Sequence, residues 1–276
     1  MSLNLMYITN QPDVARIAQA AGVDRIFLDM EYIGKDARQG GMDTVQSHHT
    51  MEDLAAIRSA ISRSKVLVRC NPIHEATDAY SGSDEEISHI IAGGADIIML
   101  PYFKTVSEVR TFLELVNGGA RTCLLVETPE AVEHIREILE LPGIDEVLIG
   151  LNDLSLGYGR KFMFELLSDG TVEKLCRIFA EKGIPYGFGG IASLGRGLLP
   201  AEYIIKEHYR LGSTCVILSR SFCNINKVSD MRVLRSLFRD GVNQIRQLER
   251  ECAEGCMDYE QNYRELCAIV DRIVGK

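Results

Sequence analysis

Eight short runs of nearly uninterrupted aliphatic residues punctuate the chain, with stretches of helical periodicity between them. They are LNLMYIT near the start, RIFLDM (25–30), KVLVRC (65–70), DIIMLPY (96–102), RTCLLVE (121–127), DEVLIG (145–150), PYGFGG (185–190) and CVILSR (215–220). Continuous rather than alternating apolarity marks strands covered on both faces, the habit of parallel sheets wrapped in helices. Helix starts agree. Ser83–Asp84–Glu85–Glu86 and Thr105–Val106–Ser107–Glu108 read as capping boxes, in which hydroxyl and carboxylate satisfy the first backbone donors reciprocally. Thr128–Pro129 offers an N-cap followed by proline at the first helical position. Glycine closes helical stretches at QAAG, IAGG, LVNG, AEKG and YRLG.

Eight strands with a helix after nearly every one predict an α/β chain of the (β/α)8 TIM-barrel class. A chain of 276 residues suits one such domain. The barrel is expected within 3–225 and a helical extension over 226–276. A doubly wound open sheet is the alternative; the count of eight and the lack of GxGxxG after the first strand favour the barrel.

The formal charge of −9 and the absence of a Lys/Arg stripe argue against nucleic acid as a partner. No apolar stretch is long enough to span a bilayer, and no basic-then-apolar export signal is present, so a cytoplasmic protein without a membrane partner is expected. The eight cysteines are scattered without CxxC. Cys70, Cys123 and Cys215 fall in apolar strands as reduced, small hydrophobes, and Cys252 and Cys256 read as surface or interface thiols.

Barrel active sites form at the C-terminal ends of the strands. Strand two delivers Asp29 and Glu31 there, strand three Arg69, strand five Glu127, strand six Asp153 and strand eight Arg220. Adjacent strands lie about 4.8 Å apart. Two carboxylates so close repel, and a hard divalent ion such as Mg²⁺ or Mn²⁺ would hold both ionised. Equally, each could pair with an arginine or cap a helix, and spacing alone leaves both readings open. Arg69 is either a buried partner for Asp29 or a donor aimed at an oxyanion, with its strand-end position favouring the second. Gly187, Gly189, Gly190, Gly195 and Gly197 permit a close phosphate approach, although a tight turn explains them almost as well. His48 and His49 close a long polar segment after strand two and offer a base near neutral pH or two exposed loop side chains. Lys104, beyond Pro101, is a Schiff-base candidate that reads better as a surface residue.

The segment LLVETPEAVEHIREILELPGIDEVLIGLNDLSLGYG resembles the metal-binding segment of the aldolase/citrate-lyase family, in the phosphoenolpyruvate/pyruvate superfamily. FLDMEY is similar to its D-x-E-H after strand two, LVRC to its strand-three arginine, and GGADIIMLPYFKT to its fourth strand. The likeness covers most of 23–220 and implies a metal-dependent (class II) aldolase acting on 2-oxo acids. It implies that Glu127 and Asp153 hold Mg²⁺ or Mn²⁺, which pyruvate or a pyruvyl group chelates. Backbone N–H groups of Asn152 and Asp153 would receive the substrate carboxylate, and Arg69 would stabilise the enolate oxygen. Independently of the resemblance, Gly189 and Gly190 of the glycine-rich strand-seven loop are expected to border the substrate. The family's habit of exchanging its last barrel helix implies a homo-oligomer.

Two positions depart from the family. Tyr32 replaces the His of D-x-E-H, and a tyrosine near its ordinary pKa is a poor base at neutral pH. Either His49 (or His48) returns to the site or a water bound to the metal serves. Leu125 replaces the family's glutamine two residues before the metal glutamate. Arg38, in the long loop, is a candidate for an anionic second substrate. Carbon–carbon cleavage or condensation through a pyruvate enolate is the leading expectation. A phosphoenolpyruvate- or acyl-CoA-using relative, with Arg196 on phosphate, is one alternative; a metabolite-binding barrel without catalysis is another, and a Lys104 Schiff-base aldolase a third.

Overall fold

In a computed structural model of the chain, residues 2–34, 47–78, 80–228, 230–255 and 257–275 are described. All eight apolar runs form strands: β1 (Asn4–Ile8), β2 (Arg25–Asp29), β3 (Lys65–Arg69), β4 (Ile97–Leu100), β5 (Arg121–Val126), β6 (Glu146–Ile149), β7 (Tyr186–Ile191) and β8 (Cys215–Leu218). Each pairs in parallel with the next, and β8 pairs with β1, closing the barrel. The open-sheet alternative is thereby excluded.

The helices are α1 (Pro12–Ala21), α2 (Met51–Ala60), α3 (Ser83–Ala92), α4 (Val106–Val116), α5 (Pro129–Glu133), α6 (Ile135–Ile138), α7 (Leu151–Gly157), α8 (Glu165–Ser168), α9 (Thr171–Lys182), α10 (Ala201–Arg210), α11 (Met231–Ala253) and α12 (Tyr259–Val274). The Thr105–Glu108 capping box forms, and Thr128 Oγ1 accepts from Ala131 N–H ahead of Pro129. The box expected at Ser83 does not form. Helix α3 starts one residue earlier, from Gly82, and the buried Ser83 hydroxyl instead accepts from His74 N–H at 2.9 Å. An unforeseen box joins Thr50 and Asp53 at the start of α2. Both helices of the extension lie on this chain's own barrel: α11 on α1 and α10, α12 on α8 and α10. Leu234, Phe238, Val242 and Ile245 supply the buried stripe of α11. Cys252 is buried in that stripe, not at the surface as expected, because it continues the same helical face. Cys256 lies outside the described residues. No helix among the described residues is long and apolar enough to cross a membrane.

Strand side chains alternate between the barrel interior and the helix layer. Met6, Phe27, Leu67, Ile97, Met99, Cys123, Leu125, Leu148 and Cys215 fill the interior. At the N-terminal end of the barrel a bidentate pair closes this layer, with Arg25 Nη1 and Nη2 on the Glu146 carboxylate at 2.5 and 2.7 Å. Both side chains are at most 5% exposed. Their charges compensate one another in a space where neither alone would be tolerated.

Candidate active site

The inward parity that places Phe27, Leu67 and Leu125 in the barrel places Asp29, Arg69 and Glu127 at its C-terminal mouth. Asp29 and Arg69 are register partners on β2 and β3. The Arg69 guanidinium grips Asp29 through two bonds of 2.9 Å and reaches Glu31 at 3.3 Å. Burial works against its charge, but Asp29 and Glu31 more than offset that and hold it ionised. Of the two roles open to Arg69, the salt-bridge partner of Asp29 is thus realised. The side chain nevertheless lines the cavity and remains available to it.

Glu127 sits one residue beyond β5, 3% exposed. Its Oε1 accepts from Tyr102 N–H at 3.0 Å. To present that donor, Tyr102 takes φ +48°, a left-handed conformation that costs a non-glycine residue about 1–2 kcal/mol. Gly150, beside it at the end of β6, gives the carboxylate room: a Cβ there would lie 2.7 Å from Glu127 Oε2. Burial pushes the Glu127 carboxyl up to about 8; Arg69 opposes this, and Asp153 and Glu31 reinforce it. Asp153 comes not from the strand but from the first turn of α7, half-buried and next to Asn152, and both line the same cavity.

Among the described residues no three His, Cys, Asp or Glu side chains gather into a metal cluster. Glu127 and Asp153 nonetheless fit a hard divalent cation. Both donors are carboxylate oxygens, and positive charge there would relieve the burial and mutual repulsion that raise Glu127.

His49 returns to the site. Its ring is buried at the cavity wall, and its Nδ1 accepts from the Asp29 backbone N–H at 3.0 Å. A backbone N–H can only donate, so Nδ1 carries the lone pair and the neutral ring holds its proton on Nε2. His48 is exposed at the rim. Tyr32 turns outward, its ring 5.5 Å from that of Tyr80, while its N–H and that of Ile33 are held by Asn71 Oδ1 at 3.0 and 2.9 Å. Asn71 is fixed in turn by Glu86. Sequence reading gave no signal for Asn71, Tyr102 or Gly150 as site supports, because each acts through a partner on another strand or loop.

Gly189 and Gly190 border the cavity. Gly187 serves the sheet instead: a Cβ there would lie 2.1 Å from the Cys215 carbonyl oxygen on β8. Arg196 is not among the residues lining the cavity, and Lys104 pairs with Glu130 at 3.0 Å away from it. That ion pair raises the Lys104 ammonium further above neutrality, unlike a Schiff-base lysine. Arg38 lies outside the described residues. The cavity encloses about 550 Å³, with Leu125 and Leu148 on its floor.

The sequence model of the HpcH/HpaI aldolase/citrate lyase family matches residues 4–165, more than half of the chain, including Asp29, Arg69, Glu127 and Asp153. The chain belongs to this family. Its fold is that of solved HpcH/HpaI proteins. An HpcH/HpaI aldolase from Desulfitobacterium hafniense DCB-2 is 18% identical, with TM-score 0.60 over 89% of this chain and 93% of that one. An HpcH/HpaI aldolase/citrate lyase family protein from Burkholderia cenocepacia J2315 is 16% identical, with TM-score 0.60 over 89% and 95%. The citrate synthase SbnG is 18% identical, with TM-score 0.59 over 82% and 89%. No curated protein sequence matches this chain. Membership makes the protein a lyase of the phosphoenolpyruvate/pyruvate superfamily.

Proposed function

We propose that the protein is a divalent-metal-dependent carbon–carbon lyase, cleaving or forming a 2-oxo acid through a pyruvate enolate. The observation that carries this reading is the buried Glu127 carboxyl, raised to about 8, facing a cavity it shares with Asp153 and Arg69. Glu127 and Asp153 would hold Mg²⁺ or Mn²⁺, which when bound supplies positive charge opposite the developing enolate. Arg69, kept ionised by Asp29 and Glu31, faces the same space. As the carbon–carbon bond breaks, its electron pair enters the enolate, the hydroxyl of the departing half gives its proton to water and becomes a carbonyl, and Arg69 stabilises the charge that collects on the enolate oxygen. The first turn of α7 directs the N–H groups of Asn152 and Asp153 toward the substrate carboxylate. Leu125 and Leu148 exclude water from the floor and so strengthen these interactions. The phosphoenolpyruvate alternative loses support because Arg196 does not reach the cavity lining.

A homo-oligomer is part of the same proposal; Val233 and Leu237, one helical turn apart on α11, are exposed apolar side chains that would serve it. The decisive assay is exchange of pyruvate methyl protons into D₂O, followed by NMR with Mg²⁺ or Mn²⁺, with EDTA, and in Glu127→Gln. Exchange that EDTA and the substitution both abolish is expected. Exchange indifferent to EDTA would remove the metal from the mechanism, and no exchange with either metal would overturn the enolate reading.

A further inference from the structure

On the outside of the barrel α1 and α11 pack side by side and leave a groove of about 260 Å³ between them. Its floor is apolar and belongs to α1: Ile17, Ala20 and Ala21. Its walls are basic, with Arg16 on α1 and Arg235 and Arg239 on α11. Among the described lining residues there is no carboxylate. The groove shares no lining residue with the cavity at the barrel mouth.

Nothing in the chain at large favours this concentration of cations. The net charge of −9 leaves no general surplus of them. Arg235 and Arg239 stand one helical turn apart, a spacing at which like charges repel. Among the described residues the Arg235 side chain has neither an ion pair nor a hydrogen bond. Arg16 pairs with Asp13 at 2.6 Å and Arg239 with Asp240 at 2.8 Å, but all four side chains are more than half exposed. Ion pairs in water are weak, so either guanidinium can turn to a ligand without stranding a buried charge.

We infer that this groove is a second ligand site, for a compact organic polyanion with a flat apolar body, the chemistry of a nucleoside diphosphate or triphosphate. The body lies on Ile17, Ala20 and Ala21, where two alanines let a ring come close to the helix. Its charged groups sit between Arg16 and the Arg235–Arg239 pair. Guanidinium planes bind phosphate oxygens through paired donors and also stack on flat rings, so the same side chains serve both halves of such a ligand. The volume suits the body of a small molecule, whereas a protein helix about 10 Å across would not seat in it. At about 100° of helix turn per residue, Val233 and Leu237 flank the buried Leu234–Phe238 stripe on the side away from Arg235 and Arg239. A second copy docked on them would leave the groove open. The site is independent of the enolate reading.

The test is calorimetric titration of the whole protein in EDTA with ADP, with adenosine, which lacks the charge, and with pyrophosphate, which lacks the body. The wild type should bind ADP at least about tenfold tighter than either fragment, and added salt should weaken ADP but not adenosine. Arg235→Gln removes the unpaired guanidinium, and Ala20→Glu sets a carboxylate on the floor. Both positions are exposed, so both variants should fold, which circular dichroism verifies. Each should weaken ADP at least about fivefold, with Arg235→Lys recovering part of the loss. Whatever pyruvate exchange the wild type shows should be unchanged in both variants, since neither residue reaches the barrel mouth. No ADP binding by the wild type, ADP no tighter than adenosine or pyrophosphate, equal affinity in the wild type and Ala20→Glu, or a loss that follows Arg69→Lys instead would overturn the assignment. Failure of pyruvate exchange would refute the enolate reading and leave this one standing.

Discussion

Replacing Glu127 by glutamine should make the metal-free protein more stable at pH 8 while changing little near pH 4.5. In the folded chain the carboxyl is raised from 4.5 to about 8, first by burial and then by Asp153 and Glu31 against the pull of Arg69. Below the ordinary value both folded and unfolded chains hold the proton, and the group imposes no penalty. As pH rises, the unfolded chain releases its proton first, so folding loses about 1.4 kcal/mol per pH unit until the folded carboxyl ionises as well. By pH 8 the accumulated loss is on the order of 4–5 kcal/mol, a large part of the stability of an ordinary domain. For a chain of this size it corresponds to roughly 8–10 °C in Tm. Glutamine has no proton to lose and can still accept the Tyr102 N–H. Differential scanning calorimetry in EDTA at pH 5, 6.5 and 8 measures the difference between variant and wild type. That difference should grow with pH, and Mg²⁺ or Mn²⁺ at pH 8 should restore the wild type but not the variant. A variant no more stable than wild type at pH 8, or a difference independent of pH, would refute the electrostatic account of this site.

Gly150→Ala places a methyl 2.7 Å from Glu127 Oε2 and should displace the carboxylate. Divalent-ion affinity, read by calorimetric titration, should fall at least about tenfold, with about 1–3 kcal/mol of destabilisation in urea. Arg25→Met strands the Glu146 carboxylate at the barrel floor and should cost about 3–5 kcal/mol, whereas adding Glu146→Leu should return most of it. A double mutant no better than Arg25→Met in urea melts would argue against a paired-charge floor. Asn71→Asp keeps an acceptor for the Tyr32 and Ile33 N–H groups but sets a second carboxylate against Glu86. It should destabilise the protein at neutral pH by about 1–3 kcal/mol and less near pH 4.5, where the pair can share a proton. Thermal melts across that range measure it.

Several features of the site were legible because they are local. Glu127 follows Cys123 and Leu125 at a period of two, so the run that makes β5 apolar also aims its carboxylate inward. Thr105 and Thr128 announce helices through contacts within four residues. The same local rule failed at Ser83, where His74, nine residues away, claimed the hydroxyl. Arg69 was left between two roles because its choice depends on register: β2 and β3 pair so that Asp29 lies beside it, and Glu31 follows. His49 was foreseen near the site, but its ring orientation could not be read, since it is set by the Asp29 N–H of another element.

By itself the sequence determined the number and order of strands, their burial on both faces, and which carboxylates and arginines fall at the strand ends. Those properties follow from periodicity and from capping, which act over a few residues. Only the closed barrel decided that Glu127 and Asp153 share one cavity and that Tyr102 strains its backbone to reach Glu127. Such arrangements arise when strands distant in sequence are brought into one ring. Electrostatic and steric effects there fall off over a few ångströms of space, whatever the separation along the chain.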